Sequence, residues 1–276
     1  MRGIRCARGK WLDSGKAGET ACPTAFYKLL KNAALRGALV FLACFVANSA
    51  AQNVPAKPVA PKSVQPALTG FPFTNESLAY TVTWPSGLSL GEGHLSATAQ
   101  NGGWKFDLSL DAGIPGFVVK DTFRASSSAD LCSSTFVKDS VHGARKNSEA
   151  VTIDAAAGTA TRHSTSGGIS TVSVPDCARD ALTYLFYARR ELGQGRVPPS
   201  QDVIFGASYN ISLEYAGAET ITVSDKSLLT DKMLCHVKGP ASDFRFEAYF
   251  DRDPARTPVA IRVPLPIGKF SLELVR

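Results

Sequence analysis

The sequence predicts an all-β, mostly antiparallel domain, a curved sheet or half-open β-barrel with one amphipathic helix covering or plugging it. Three observations carry this reading. Apolar side chains alternate with polar ones along many short runs, clusters of Gly, Asn, Asp and Pro separate those runs, and one segment alone switches to helical spacing. Successive side chains of a strand point to opposite faces, so period-two alternation buries one face and wets the other.

The first strand is Leu78–Trp84, where Leu78, Tyr80, Val82 and Trp84 alternate with polar neighbours. The second lies within Leu88–Thr98, and its Gly91 and Gly93 predict a bend or bulge. Asn101-Gly102-Gly103 supplies a tight turn into a third strand carrying Trp104, Phe106, Leu108 and Leu110. Further strands are expected at Phe117–Phe123, Phe136–Val141, Ala150–Ile153, Ile169–Val174, Tyr209–Tyr215, Thr220–Val223, Leu228–Val237, Phe244–Phe250, Val259–Val263 and Phe270–Val275. The exception is Ala178–Leu192, which sets Ala178, Leu182, Leu185, Phe186 and Leu192 at helical spacing. Asp176 is its expected N-cap, and Gly193, Gly195 and Pro198-Pro199 end it. No fixed-period repeat is visible, which argues against a solenoid or propeller.

The N-terminal part has a different character. Residues 38–47 form a ten-residue uncharged apolar run, preceded by Lys28, Lys31 and Arg36 and followed by Ser49-Ala50-Ala51. Basic flank, short apolar core and small-residue exit predict a signal peptide, with cleavage before Gln52. The apolar run is too short for a membrane-crossing helix, which needs about twenty residues. A translation start near Leu29 or Leu30 would give this signal ordinary length. Residues 1–51 are accordingly read as presequence with a signal peptide, 52–69 as a Pro-rich linker containing Pro55, Pro58, Pro61 and Pro66, and 70–276 as a single β-rich domain. The expected location is the periplasm. Lipid anchoring at Cys44 and full secretion are the alternatives.

Removing the presequence changes the charge argument. Eight of the 30 basic and two of the 24 acidic residues precede Gln52, leaving 22 of each sign in a neutral mature chain. The basic residues are scattered, so nucleic acid is not an expected partner, and no transmembrane span is expected in the mature chain. Of six cysteines, Cys132, Cys177 and Cys235 remain. In an oxidising compartment Cys132 and Cys177 are the preferred disulfide pair, since Cys235 lies in the apolar run Met233–Val237; three buried free thiols is the competing reading.

No catalytic constellation is spelled out, and neither metal nor cofactor is expected. His94, His142, His163 and His236 are far apart and have no partner at ligand spacing; His142 and His163 read as exposed and His236 as outward-facing. Cys235 and His236 are adjacent on a strand, so their side chains point apart. There is no nucleophile elbow and no phosphate loop. The aromatic residues Trp84, Trp104, Phe106, Phe186, Phe244 and Phe246 would line a cavity in a roomy barrel or fill the core of a tight one.

The ordered motifs resemble a known group. Leu78-x-Tyr-x-Val-x-Trp84, the Gly91/Gly93 strand, Asp180-Ala-Leu-x-Tyr-x-x-Tyr-Ala-Arg189, Gly195, Asp253-x-x-Arg-x-Pro-Val259 and Ile267-Gly-x-x-x-Leu-x-Leu274 are similar to the bacterial exported domain-of-unknown-function family 3108. The resemblance implies an exported antiparallel β protein with no established activity and no catalytic residues to carry over. The leading expectation is a non-enzymatic cell-envelope protein that binds an apolar or amphipathic, lipid-like molecule in a barrel-like cavity. The alternative is a structural or protein-interaction module, partnered by another envelope protein and acting through strand edges or the Arg189-Arg190 end of the helix. A third is a hydrolase or glycan-modifying enzyme whose carboxylates, Asp107 and Asp111 for example, meet only in the fold.

Overall fold

The computed structural model describes residues 74–275, apart from Pro115, Ala241, Pro266 and Ile267. The predicted presequence, the linker up to Thr69 and Cys44 lie outside the described residues. Among the described residues fifteen strands and one helix follow in chain order: β1 (Glu76–Thr83), β2 (Ser89–Gln100), β3 (Gly103–Ile114), β4 (Phe117–Ser128), β5 (Ser133–His142), β6 (Arg145–Asp154), β7 (Thr159–Ser164), β8 (Gly168–Ser173), β9 (Arg179–Asp180), α1 (Ala181–Gly193), β10 (Gln201–Phe205), β11 (Ala207–Val223), β12 (Lys226–Gly239), β13 (Ser242–Asp251), β14 (Pro258–Leu265) and β15 (Gly268–Leu274).

All fifteen strands form one sheet, ordered β8-β7-β6-β5-β4-β3-β2-β1-β15-β14-β13-β12-β11-β10-β9. The sheet is a meander cut once: β1 pairs antiparallel with β15, setting Tyr80 opposite Leu274, so its two outer edges come from mid-chain. Every pairing is antiparallel except that of β9 with β10. The expected alternation is plain in β4, where Val119, Asp121, Phe123, Ala125 and Ser127 are buried and the residues between them are not. Asn101 and Gly102 both adopt positive φ, 46° and 77°, in the turn between β2 and β3. Such a turn suits the twist of a two-residue hairpin. The expected bulge also forms, with the β1–β2 register shifting between Val82 and Thr83.

Several expectations need correction. The runs Tyr209–Tyr215 and Thr220–Val223 belong to one 17-residue strand, β11, which continues through a register shift between Tyr215 and Gly217. Gly217, at φ 105°, absorbs the extra residue. The N-cap of α1 is Asp180 and not Asp176: its side chain accepts from Leu182 N and Thr183 N at 2.8 and 3.0 Å. Residues 179–180 are extended because they form β9 beside β10, so the helix starts later than its apolar spacing suggests.

The sheet curls but does not close. Its β9 end returns to β5 along a seam. There Ser133 N donates to the Ala178 carbonyl at 2.9 Å, and Cys132 and Cys177 form a disulfide. The Phe205 ring stands 5.5 Å from Phe123 and 5.6 Å from Phe136, joining β10 to β4 and β5. The helix plugs the curl: Leu182, Tyr184, Phe186, Tyr187, Ala188 and Leu192 are all buried. Its buried charged residues are paired. Arg189, fully buried, makes a two-pronged pair with Glu76 and donates from Nε to the Ala255 carbonyl at 3.0 Å; Glu191 takes Arg196 at 2.9 Å.

Asp180→Ala removes a helix cap and strands buried donors, and should lower stability by about 3 kcal/mol in urea unfolding, with Ser133→Ala costing roughly half as much. Burial pushes the Cys235 thiol up to about 12. In a chain starting at Gln52 a thiol reagent at pH 8 should therefore find nothing in the native state, one thiol after unfolding, and three after unfolding with reductant.

Candidate functional site

The least expected feature of the interior is a run of polar side chains on the inner face of β4–β7. Cross-strand register places Asp121 opposite Ser140 and Ser140 opposite Asn147, while Lys138 lies opposite Glu149. Asp121, Lys138, Ser140 and Glu149 are all buried. His142 Nε2 lies 2.9 and 3.0 Å from the two Asp121 oxygens. Asn147 Nδ2 donates to Glu149 Oε1 at 2.8 Å, and Arg162 reaches the same carboxylate from Nε at 3.1 Å and Nη2 at 2.9 Å. Lys138 Nζ sits 4.7 Å above the Phe205 ring.

Burial pushes the Asp121 carboxyl up, and the His142 hydrogen bond and charge, followed by Lys138, pull it back only in part. For Glu149 burial also acts upward, yet Arg162, Lys138 and Asn147 more than offset it and hold the carboxyl below its ordinary value. The Glu149 carboxylate also presses on the β10–β11 turn: a Cβ at Gly206, whose φ is +77°, would lie 2.2 Å from Oε2. The cluster thus helps lock β6 to that turn.

An imidazole held by a buried carboxylate is the orienting half of a nucleophilic triad. The third member is not in place. Ser140 Oγ donates to the Asn147 carbonyl at 3.4 Å, and among the described residues no hydroxyl or thiol is bonded to the His142 ring. The network is one of mutual satisfaction, which a buried set of charges requires.

The expected exposure of His142 is corrected: its side chain is 15% exposed, and the parity that buries Lys138 and Ser140 also turns it inward. His163 is exposed as read from the sequence. His236 bonds Asp243 at 2.6 Å on the outer face, and His94 lies 3.8 Å from Glu92. No group of three or more His, Cys, Asp or Glu side chains able to hold a metal occurs among the described residues.

The six aromatic candidates divide. Phe106 and Phe186 are fully buried and stacked at 4.0 Å between β3 and α1, and Trp104 stacks on Phe106 at 6.4 Å. Phe244 and Phe246 stack at 6.0 Å on β13, against the same core. Trp84 stands apart, edge-on to Phe270 at 4.6 Å. Asp107 and Asp111 sit on one face of β3, paired with Lys105 at 3.2 Å and Lys120 at 2.6 Å. Four residues along one strand separate them by about 13 Å, so their carboxylates do not converge. Of the Arg189-Arg190 pair only Arg190 reaches the surface, since Arg189 is buried in its pair with Glu76.

A family model described as a protein of unknown function, DUF3108, matches residues 79–275. In fold the chain is similar to the crystal structure of a beta-barrel-like protein of domain of unknown function DUF1849 from Brucella abortus. The TM-score is 0.52 at 6% identity, covering 73% of this chain and 96% of that one. A protein from Bacteroides fragilis described as exported, with a YmcC-like fold, aligns over 72% of this chain and 93% of its own at 10% identity, with a TM-score of 0.31. No curated protein matches the chain. No helix among the described residues is long and apolar enough to cross a membrane.

Depressing the Glu149 carboxyl stabilises the fold above its unfolded value, near 4.5, and that contribution is lost as pH falls through the lower folded value. Wild type should therefore exceed Glu149→Gln in stability at pH 7, and the gap should narrow below about pH 4.5 in urea titrations repeated across pH.

Proposed function

The chain belongs to the DUF3108 family, whose function is unknown, and from that premise we propose that it is an exported, non-enzymatic module of the cell envelope, which accepts an extended segment of another envelope protein along strand β8. Export to the periplasm is supported by the signal-like run at 38–51, and the Cys132–Cys177 disulfide suits an oxidising compartment.

The observation that carries this reading is the contrast between the two edges of the sheet. β9 is two residues long and tied into the seam. At the other edge, every residue of β8 is exposed, with Ile169 at 69% and Val172 at 48%. The strand Gly168–Ser173 carries no charge and no proline, the usual devices that keep an edge from pairing. An added strand gains main-chain hydrogen bonds there, and the alternating side chains Ile169 and Val172 offer apolar contacts on opposite faces. The interior favours an interface over a carrier: where an apolar cargo would sit, α1 and the Phe106–Phe186 stack are already packed.

A photoreactive residue at the exposed Thr171 position of β8, introduced in the living envelope, should form an adduct with one partner, and adding Ile169→Lys and Val172→Lys should abolish it without lowering the Tm. Equal adducts from the exposed Glu214 position would count against β8. Stoichiometric uptake of an apolar fluorescent probe by the mature domain would restore the carrier.

A further inference from the structure

At β9, the edge opposite β8, two guanidinium groups gather around one buried tyrosine. Arg179 of β9 stacks over the Tyr187 ring with Cζ 3.8 Å from its centroid, and Arg190, one turn further along α1, stands 5.4 Å from the same centroid. Neighbouring arginines have acids: Arg189 takes Glu76 and Arg196 takes Glu191. Arg179 and Arg190 have no carboxylate within ion-pair distance among the described residues. Their hydrogen bonds run to neutral oxygens instead. Arg179 Nη1 donates to Gln201 Oε1 at 2.9 Å and to the Cys177 carbonyl at 3.5 Å, and Arg190 Nη2 to the Asp130 carbonyl at 3.4 Å.

Three buried donor atoms are left over, Nε of each arginine and Nε2 of Gln201, none with a hydrogen-bond partner. Half-burying two like charges near one another is costly, and the π-face they share offsets only part of that cost. The first cause acting on the Arg179 guanidinium is burial, which pushes it below its ordinary value, and Arg190 adds to this while Tyr187 and Glu191 oppose it. A guanidinium braced on an aromatic ring has its fork pre-oriented, the arrangement used for bidentate oxyanion recognition. The surplus donors come from three elements, β9, α1 and β10, which suits a tetrahedral anion better than a planar one.

We propose that Arg179, Arg190 and Gln201 form a binding site for a phosphate group, carried either by a soluble ester or by an anionic lipid headgroup. The site lies on the other edge of the sheet from β8, so neither proposal depends on the other.

The test is titration of the mature chain with inorganic phosphate against chloride at matched ionic strength, followed by calorimetry and thermal unfolding. Wild type should show saturable binding and a rising Tm. Arg190→Gln, at a half-buried position beside the Tyr187 ring, should weaken binding by about tenfold or more, as loss of a charge-assisted contact does. Arg179→Gln combined with Arg190→Gln should abolish it, and Arg245→Gln, at an exposed arginine elsewhere, should leave it unchanged. Flotation with phosphatidylglycerol vesicles against phosphatidylcholine vesicles separates the two sources. Arg190-dependent binding to the anionic vesicles identifies a headgroup, and phosphate binding without vesicle binding identifies a soluble ester. Absence of a saturable phosphate effect, or one equally weakened by Arg190→Gln and Arg245→Gln, overturns the proposal.

Discussion

The carboxylate of Asp180 is the constraint on which the rest of the structure hangs. It is fully buried and serves two masters at once. One oxygen caps α1 through Leu182 N and Thr183 N; the other accepts from Thr183 Oγ1 at 2.7 Å and from Ser133 Oγ at 2.6 Å across the seam. Ser133 Oγ in turn accepts from Asp180 N at 2.8 Å. Burial pushes this carboxyl up, and the Ser133 and Thr183 contacts and the cap work against it. A residue so placed fixes where the helix begins, where β9 ends and how far the sheet curls. The disulfide beside it, closing 45 residues of chain, adds roughly 4 kcal/mol on the loop-entropy view.

Once the seam is set, the contents of the curl follow. A sheet of fifteen strands bent back on itself encloses a space that its own inward side chains do not fill, and α1 enters it from the seam. This explains why the helix is buried on nearly all sides and why its arginine at 189 must be paired within the fold. The Glu76 partner lies at the start of β1, so the same ion pair ties the plug to the strand that joins the two halves of the meander. Near β6 and the β10–β11 turn the enclosed surface is polar, and Asp121 with His142 and Glu149 with Arg162 satisfy one another's hydrogen bonds there.

How much of this was legible in the sequence depended on whether a residue's face could be recognised from its polarity. Strands with apolar inner faces, such as Leu78–Trp84 and Phe244–Phe250, declare themselves. β7 does not, because its inward positions are Ala160 and Arg162, and β10 is too short to show a period. His142 was misplaced for the same reason: Lys138, Ser140 and His142 continue the inward parity of Phe136, but a polar run reads as solvent-facing unless its partners on β4 and β6 are known. The Cys132–Cys177 pair was legible because only one of the three cysteines sits in an apolar strand. The cap was not, since Asp176 and Asp180 are equally good cap residues, and only the β9 pairing decides between them.

The candidate surfaces were the least legible because each is defined by what is missing beside it. The Ile169–Val172 run is an ordinary strand signal, and nothing in it tells that β8 ends the sheet. That follows from the cut in the meander: pairing β1 with β15 places the first and last described strands mid-sheet and moves the edges to β8 and β9. One of those edges can be consumed by the curl, and it is the β9 edge, because Asp180 and Cys177 lie there. A curl that returns to β5 leaves β6, β7 and β8 beyond the seam, with β8 wet on both faces and its outer edge unpaired among the described residues. The same buried carboxylate that fixes the plug therefore also determines which edge of the described sheet stays open.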